Sequence, residues 1–258
     1  MSDRYTFGDT DLARERLRLL AELYDPASED LLRRWAPPGR RHALDLGAGP
    51  GHTTRLLHRV AGAARTTGVE RSARYVADAA VDAPVGVDFV EHDVTHVPFP
   101  VPPADLLFCR FLLTHLAAPG AAVAGWAEAA TPGAVLIVQE VETLTSPTPA
   151  LARYYELVGE LQARYGQALH VGRLLDEALA ATAWRVVSSA IRALTPDPRR
   201  MARLHLFNLR TWRTDPVAIE AFDAAELGAL ETALTAIVDG AVEARVDQGL
   251  REIVAVRG

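Results

Sequence analysis

Lysine is absent from this sequence: all 27 basic residues are arginine. Together with abundant alanine, that bias reads as genome composition and carries no function. A single cysteine, Cys109, leaves no intrachain disulfide and no C-x-x-C zinc site. No apolar run approaches the ~20 residues of a membrane-spanning helix. Met1 to Gly8 is polar and lacks the apolar segment of a signal peptide. Positive charge is not in excess either: 33 acidic residues outnumber the basic ones, for a net charge of −6. That balance argues against a surface that coats nucleic acid, although a local arginine cluster could hold a small anion. Internal repeats and low-complexity tracts are missing as well. The expectation is a soluble, cytoplasmic protein that binds neither nucleic acid nor membrane.

What is present is a core. The chain has 258 residues, of which 49 % are hydrophobic, enough for one large domain over 1–258. It is organised around Ala43-Leu44-Asp45-Leu46-Gly47-Ala48-Gly49-Pro50-Gly51, a short apolar strand running into a glycine turn. Thr53 to Val60 follows with apolar positions at helical spacing (Leu56, Leu57, Val60). Strand, glycine turn and helix together make a nucleotide-type cradle. The spacing is G-x-G-x-G, and His52 stands where a dinucleotide fold wants its final Gly or Ala.

Before this motif, Asp9, Thr10 or Asp11 can cap a helix running to Tyr24, which Asp25-Pro26 is expected to break. Ser28 then caps a second helix through Trp35, and Pro37-Pro38-Gly39 ends it. After the motif, strands are expected at 65–70, 86–91, 106–109 and 134–139, alternating with helices. Pro119 should break the helix after the fourth strand. That alternation means a mostly parallel, Rossmann-like α/β sheet with right-handed crossovers. Residues 148–181 read as helical, 184–188 as a sixth strand, 198–213 and 223–246 as helices, and 252–256 as a seventh strand. The resulting division is an N-terminal helical lid (1–39), a cofactor-binding core (40–194), a helical insertion (195–248) and a final strand (249–258). Apolar faces on the inserted helices allow a homodimer.

Ligands of open α/β sheets bind beyond the carboxyl ends of the strands. Polar residues stand at those ends repeatedly: Asp45 and the glycines, Glu70, Asp93, Arg110, then Glu140 and Glu142. Glu70 can accept from ribose hydroxyls and Asp93 from an exocyclic purine amine. An adenosine-containing ligand is the expectation.

In these residues the chain resembles the class I S-adenosylmethionine-dependent methyltransferases. Residues 43–51 match that family's first motif, Glu70 the acid closing strand two, and Asp93-Val94 the acidic loop beside adenine. Asp105 to Arg110 matches the fourth-strand motif, and Pro132-Gly133 the turn before strand five. Tyr5, Gly8, Arg14 to Leu20 and Val171 to Leu175 resemble a subgroup that methylates small molecules. The resemblance implies S-adenosyl-L-methionine as cofactor, held by Asp45, Gly47, Ala48, Gly49, Glu70, Arg71, Asp93, Val94, Arg110 and Phe111. It implies in-line displacement of the methyl group onto O, N or C of a small-molecule acceptor. His115, just after strand four, is the first candidate catalytic base and Glu140 the second; His170, His205 and Glu142 are further ones. Tyr154 and Tyr155 read as lid packing, and Arg199, Arg203 and Arg210 as a solvated helix face.

Some chemistry is trimmed away. His92 and His96 lack the H-E-x-x-H helix context, and no Asp-Asn pair suggests a magnesium site, so no metal is expected. Cys109 to Leu112 is not the Asn/Asp-Pro-Pro-aromatic loop that resembles amino-methylating enzymes of nucleic-acid bases. Two alternatives stand beside methyl transfer. One is a member of the fold that keeps the cofactor for another reaction. The other is an NAD(P)-dependent oxidoreductase, against which His52 and Asp93 count.

Overall fold

The computed structural model describes residues 11–36 and 38–258, apart from the side chain of Asp11. Readings placed on Tyr5, Gly8, Asp9, Thr10, the Asp11 side chain and Pro37 lie outside the described residues.

The first half alternates strand and helix. Helix α1 (Asp11–Trp35) precedes β1 (His42–Leu46), α2 (His52–Ala61), β2 (Arg65–Glu70), α3 (Ala73–Val81) and β3 (Val87–Glu91). Then come β4 (Ala104–Arg110), a 3-10 turn (Leu113–His115), α4 (Pro119–Trp126) and β5 (Ala130–Thr145). The second half holds α5 (Pro149–Arg164), α6 (Gly172–Ala180), β6 (Trp184–Leu194), α7 (Pro198–Trp212), α8 (Pro216–Ala221), α9 (Ala224–Val238) and β7 (Asp247–Arg257). The seven strands form one sheet in the order β3-β2-β1-β4-β5-β7-β6. Pairs from β3 through β5 are parallel, and β7 runs antiparallel to both neighbours. A dinucleotide fold has β6 as a parallel outer strand. The reversed β7, seated between β5 and β6, departs from that arrangement.

Local chemistry explains where elements begin. Gly51, in the left-handed region at φ 83°, opens α2. A Cβ added there would stand 2.6 Å from the Phe89 ring, so only glycine fits. The Ser72 hydroxyl accepts from Tyr75 N–H at 3.2 Å to cap α3. Aspartates cap the inserted helices: Asp197 receives Arg200 N–H, Asp215 receives Val217 N–H and Asp223 receives Ala225 N–H.

Several elements differ from expectation. Proline at 119 does not break a helix but starts α4, where its missing N–H costs nothing. Strand β5 extends well past Gln139 to Thr145, because β7 pairs with it from Val135 to Thr145. The most instructive difference is α1. It runs unbroken for 25 residues through Pro26. Ser28 is therefore not a cap. Its hydroxyl lies 2.6 Å from Gln139 Oε1 and accepts from Arg110 at 2.8 Å. Arg110 also donates to Asp25 at 2.9 Å. Gln139 Nε2 donates to Glu252 Oε1, and Arg34 and Arg192 close on the same carboxylate at 3.0 and 2.7 Å. A polar chain thus clamps α1 across β4, β5 and β7, and it outweighs the helix-breaking tendency of proline.

The inserted helices bury most of their apolar surface. Met201, Ala202, Leu204, Leu206, Phe207, Leu209 and Trp212 of α7 pack with α5 and α9 in one cluster. Large apolar side chains left exposed around the insertion include Ile219 and Val242. Arg203 pairs with Glu15 and Arg210 with Glu231 at the surface.

A proline inside a helix costs about 3 kcal/mol through its lost hydrogen bond and steric clash. Pro26→Ala is expected to raise the unfolding free energy by about 1–3 kcal/mol in denaturant titration. A lower value would mean that the clamp depends on the proline ring.

Candidate functional site

A cavity of about 420 Å³ opens at the carboxyl ends of β1, β2 and β4, and the inserted helices wall its other side. Most of its lining is apolar, with polar groups at a few fixed points.

The glycine turn forms its floor. Gly47 and Ala48 N–H groups both donate to the Val69 carbonyl, at 2.9 and 3.1 Å, which ties the turn to β2. Gly47 has φ 76°, and an added Cβ would press to 2.8 Å from Leu112 Cδ1. Glu70 accepts Gly49 N–H at 2.9 Å on one oxygen and Ser72 N–H at 2.8 Å on the other. Each oxygen keeps a second lone pair for a ligand. Arg71, Val94 and His52 also line the cavity. Burial lowers the His52 pKa. Trp126 Nε1 donates to the Val94 carbonyl at 2.8 Å and fixes that loop.

Asp93 lines the cavity and also makes the turn. Its Oδ1 accepts from Thr95 N–H and Thr95 Oγ1 at 2.9 and 2.8 Å. Burial works to raise its pKa, but the Thr95 bonds, with Arg71 and His96 nearby, outweigh it and leave the pKa lowered.

Asp45 is placed differently from expectation. It is buried under the turn and accepts from the Thr53 and Thr54 hydroxyls at 2.6 and 2.7 Å. Its side chain is not part of the cavity lining. Burial raises its pKa to about 6, against the two threonine bonds. Through these bonds it anchors the start of α2.

The segment after β4 forms a second wall. Arg110 reaches the cavity with its charge met by Asp25. Phe111 has φ 52°, an uncommon value for a residue with a side chain. Its ring meets Tyr24 edge-on at 4.7 Å between centroids. His115 lines the cavity; burial, with the charges of Arg16 and Arg71, pushes its pKa down to about 3. The ring is neutral across the physiological range.

Glu140 does not reach the cavity. It is fully buried on β5, and its Oε1 accepts from Leu112 and Leu113 N–H at 2.8 and 2.7 Å. Burial raises its pKa to about 8 although those backbone bonds oppose the rise. It is a capping group for the 3-10 turn that carries His115. Glu142 pairs with Arg251 at 2.9 Å, and neither it nor His170 lines the cavity. His205 does. Its ring stacks on Tyr154 at 4.4 Å, and burial alone lowers its pKa to about 3. Tyr154, read from sequence as packing, lines the cavity too.

Arg16, Tyr24, Gln162, Asn208 and Gln248 are lining residues that the sequence reading missed. A signal was present for two of them. Gln162 continues the Tyr154, Val158 stripe at i+4, and Asn208 continues Met201, Leu204 at i+4, each a polar residue on an apolar helix face. Among the described residues no group of metal-ligating side chains is gathered. His92 Nε2 is spent on the His96 carbonyl at 2.8 Å.

Residues 44–138 match a family described as "Methyltransferase domain". Trans-aconitate 2-methyltransferase of Acidovorax ebreus (strain TPSY) is 35 % identical over 136 residues, 53 % of this chain and 52 % of the relative. The Escherichia coli (strain SE11) enzyme of the same name is 34 % identical over 137 residues. The chain thus spans about half the length of these curated relatives. Among solved structures, the phosphoethanolamine N-methyltransferase 2 of Haemonchus contortus, bound to phosphomonomethylethanolamine and S-adenosylhomocysteine, superposes with a TM-score of 0.61. It is 17 % identical and covers 100 % of this chain and 60 % of its own. The [4+2]-cyclase SpnF superposes at 0.57 with 19 % identity, over 90 % of this chain and 81 % of its own. At such identities the likeness is one of fold.

The Glu140 carboxyl makes stability depend on pH. Its folded pKa of about 8 lies above the ordinary 4.5, so the folded state holds the proton more tightly than the unfolded state. That stabilisation is complete below pH 4.5 and is lost as pH rises toward 8. Glu140→Gln, neutral at every pH, is expected to flatten this decline in denaturant titrations run across the window. Equal slopes in both proteins would show that the carboxyl is already ionised.

Proposed function

We propose, from the match of residues 44–138 to a methyltransferase domain, that the chain is a class I S-adenosylmethionine-dependent methyltransferase and that it transfers a methyl group to a small-molecule acceptor with an apolar body. The observation that supports the acceptor class is the single cavity joining two kinds of wall. One is the glycine turn with Glu70 and Asp93; the other is the apolar stripe of α5 and α7.

The residues at the first wall fit S-adenosyl-L-methionine. Gly47 and Gly49 bring bare backbone to the cavity, Glu70 has lone pairs left for ribose hydroxyls, and Asp93 can accept from an adenine amine. When bound, that cofactor supplies an electrophilic methyl on a sulfonium leaving group. The protein's own task is to orient the acceptor and exclude water. Phe111 and Tyr24 shield the end near Arg110 with aromatic surface. His115, held neutral, accepts a hydrogen bond from an O–H or N–H nucleophile at physiological pH. With a pKa of about 3 it serves as an orienting group more than as a store for the proton.

The named relatives methylate trans-aconitate, a tricarboxylate, and the match to them covers about half of each chain. Here Leu144, Val158, Leu169, Met201 and Leu204 line the second wall together with the buried Arg16, which donates to Asn208 at 3.4 Å, a combination that suits an apolar body and leaves one cation for an acidic group. Product mass decides whether methyl is transferred at all: a product one methyl group heavier supports the reading, and an isomer of unchanged mass defeats it.

Two variants test the site. Glu70→Ala is expected to weaken S-adenosylmethionine binding by ~1–3 kcal/mol in calorimetry, the worth of one or two hydrogen bonds to a charged group. His115→Ala should leave that affinity alone and lower turnover. Wild-type turnover in the second variant would remove His115 from the mechanism.

A further inference from the structure

Arg16 brings a positive charge into the helical wall of the cavity. It is 4 % exposed, and its Nη1 donates to Asn208 Oδ1 at 3.4 Å. Helix α1 sets its direction. Arg16, Leu20 and Tyr24 line the cavity at i, i+4 and i+8, while Arg14 and Arg18 turn to the surface and meet Asp78 and Glu22. Helix α7 runs alongside: Glu15 pairs with Arg203 at 2.9 Å, Glu22 with Arg200, and the Tyr24 hydroxyl lies 3.5 Å from Met201 Sδ. Arg16 and Asn208 thus stand at one end of the seam between α1 and α7, and Tyr24 and Met201 at the other. At 1.5 Å rise per residue, the two ends lie about 12 Å apart. Leu20 and Leu204 line the cavity between them.

The other charges of the lining stand at the strand ends and are met there. Arg110 pairs with Asp25 at 2.9 Å. Glu70 holds the N–H groups of Gly49 and Ser72, and Asp93, with the Arg71 charge nearby, holds Thr95. Among the described residues, the helical wall contributes Arg16 and no acid to the lining. Lining groups on two other elements feel that charge. After burial, it is the next cause that pushes the His115 pKa down to about 3, and it opposes the rise that burial imposes on Tyr154. A carboxylate enters an apolar cavity only where a cation and hydrogen-bond donors meet it. A guanidinium has five N–H donors in a planar fork, so it can hold Asn208 and still take both oxygens of a carboxylate. One guanidinium balances one negative charge. A tricarboxylate or a phosphate dianion would bring more charge than this wall meets.

We infer that Arg16 selects the acceptor, and that the acceptor is an elongated apolar molecule bearing a single carboxylate. The Arg16 fork holds the carboxylate, and the apolar body lies along Leu20, Leu204 and Met201. This rests on the methyltransferase reading and names its substrate class and the residue that recognises it. The methionine end of the cofactor carries a carboxylate too, and the test separates the two sources.

The test is calorimetry on the full chain at neutral pH, with and without saturating S-adenosylhomocysteine. The probes are octanoate, octanol and octylammonium, which share a chain length and differ in charge. Octanoate should bind at least about tenfold tighter than octanol, a difference of about 1.4 kcal/mol, and octylammonium should bind most weakly. Arg16→Gln should remove the octanoate advantage and leave octanol and S-adenosylhomocysteine binding at wild-type levels, which also shows that the variant is folded. Arg16→Lys, which keeps the charge and loses the fork, should hold octanoate above octanol but below the wild type. Equal binding of octanoate and octanol by the wild type overturns the proposal, whether or not the variants fold. So does an octanoate advantage that neither substitution diminishes. Loss of S-adenosylhomocysteine affinity in an Arg16→Gln protein that keeps the wild-type melting temperature assigns the fork to the cofactor and overturns it too. Trans-aconitate binding more tightly than octanoate would do the same, by revealing further cations. Failure of the wild type to bind S-adenosylhomocysteine defeats the methyltransferase reading itself, and the octanoate comparison without it still decides the anion site.

Discussion

One fully buried carboxyl group holds the two loops of the cavity in register. Glu140 stands on the interior strand β5 and takes the N–H groups of Leu112 and Leu113 on a single oxygen. Those N–H groups begin a short 3-10 turn, which has no side-chain cap of its own. The turn fixes Leu112, whose side chain packs so tightly against Gly47 that no Cβ could fit. The glycine floor and the wall bearing Phe111 and His115 are therefore one mechanical unit. Phe111 sits at φ 52° because both neighbours are determined: Arg110 is the last residue of β4, and Leu112 is bonded to Glu140. Strain of that kind persists only where the surroundings over-determine it.

The same strand carries the second constraint. Gln139, one residue earlier, joins Ser28 of α1 to Glu252 of β7. Arg110 closes the chain on Asp25 and Ser28. A buried guanidinium removed from its carboxylate would cost more than a proline in a helix. That inequality explains why α1 continues through Pro26. It also explains the position of Leu17, Leu20 and Tyr24 along the cavity, since a helix broken at Asp25 would leave their direction undetermined.

Much of the fold was legible in the sequence, for a local reason. Short apolar runs such as Leu44 to Leu46 and Leu106 to Cys109 are buried on both faces, and the turns between them carry their own glycines and caps. Glu70 and Asp93 were legible as wall residues because strand ends point at the ligand in any open parallel sheet. Asp45 and Glu140, expected at the ligand, lie outside the cavity lining for one shared reason. A carboxylate at a strand end is equally suited to a ligand and to backbone or threonine donors, and only the three-dimensional neighbours decide. Pro26 was misread because the bonds that override it come from Arg110 and Gln139, far along the chain. Strand β5 was drawn too short because its continuation depends on pairing with β7.

The helical half of the cavity, to which the proposal assigns the acceptor, was the least legible, and physical chemistry gives the cause. A cofactor shared across a fold needs the same turn, acid and spacing each time, so its site leaves a motif. An acceptor wall needs only apolar side chains at helical spacing, and these are the residues any packed helix shows. The informative departures are polar residues set into those stripes: Gln162 below Val158 on α5, and His205 and Asn208 among Met201, Leu204 and Leu209 on α7. Each also holds a neighbour, Gln162 Nε2 donating to the Thr114 carbonyl and His205 Nε2 lying 3.3 Å from the Tyr155 hydroxyl, so a leucine at either position would remove one desolvated atom and strand another. Unmatched polar atoms of Tyr154, Gln162 and His205 buried in these helices are destabilising, and packing alone does not call for them.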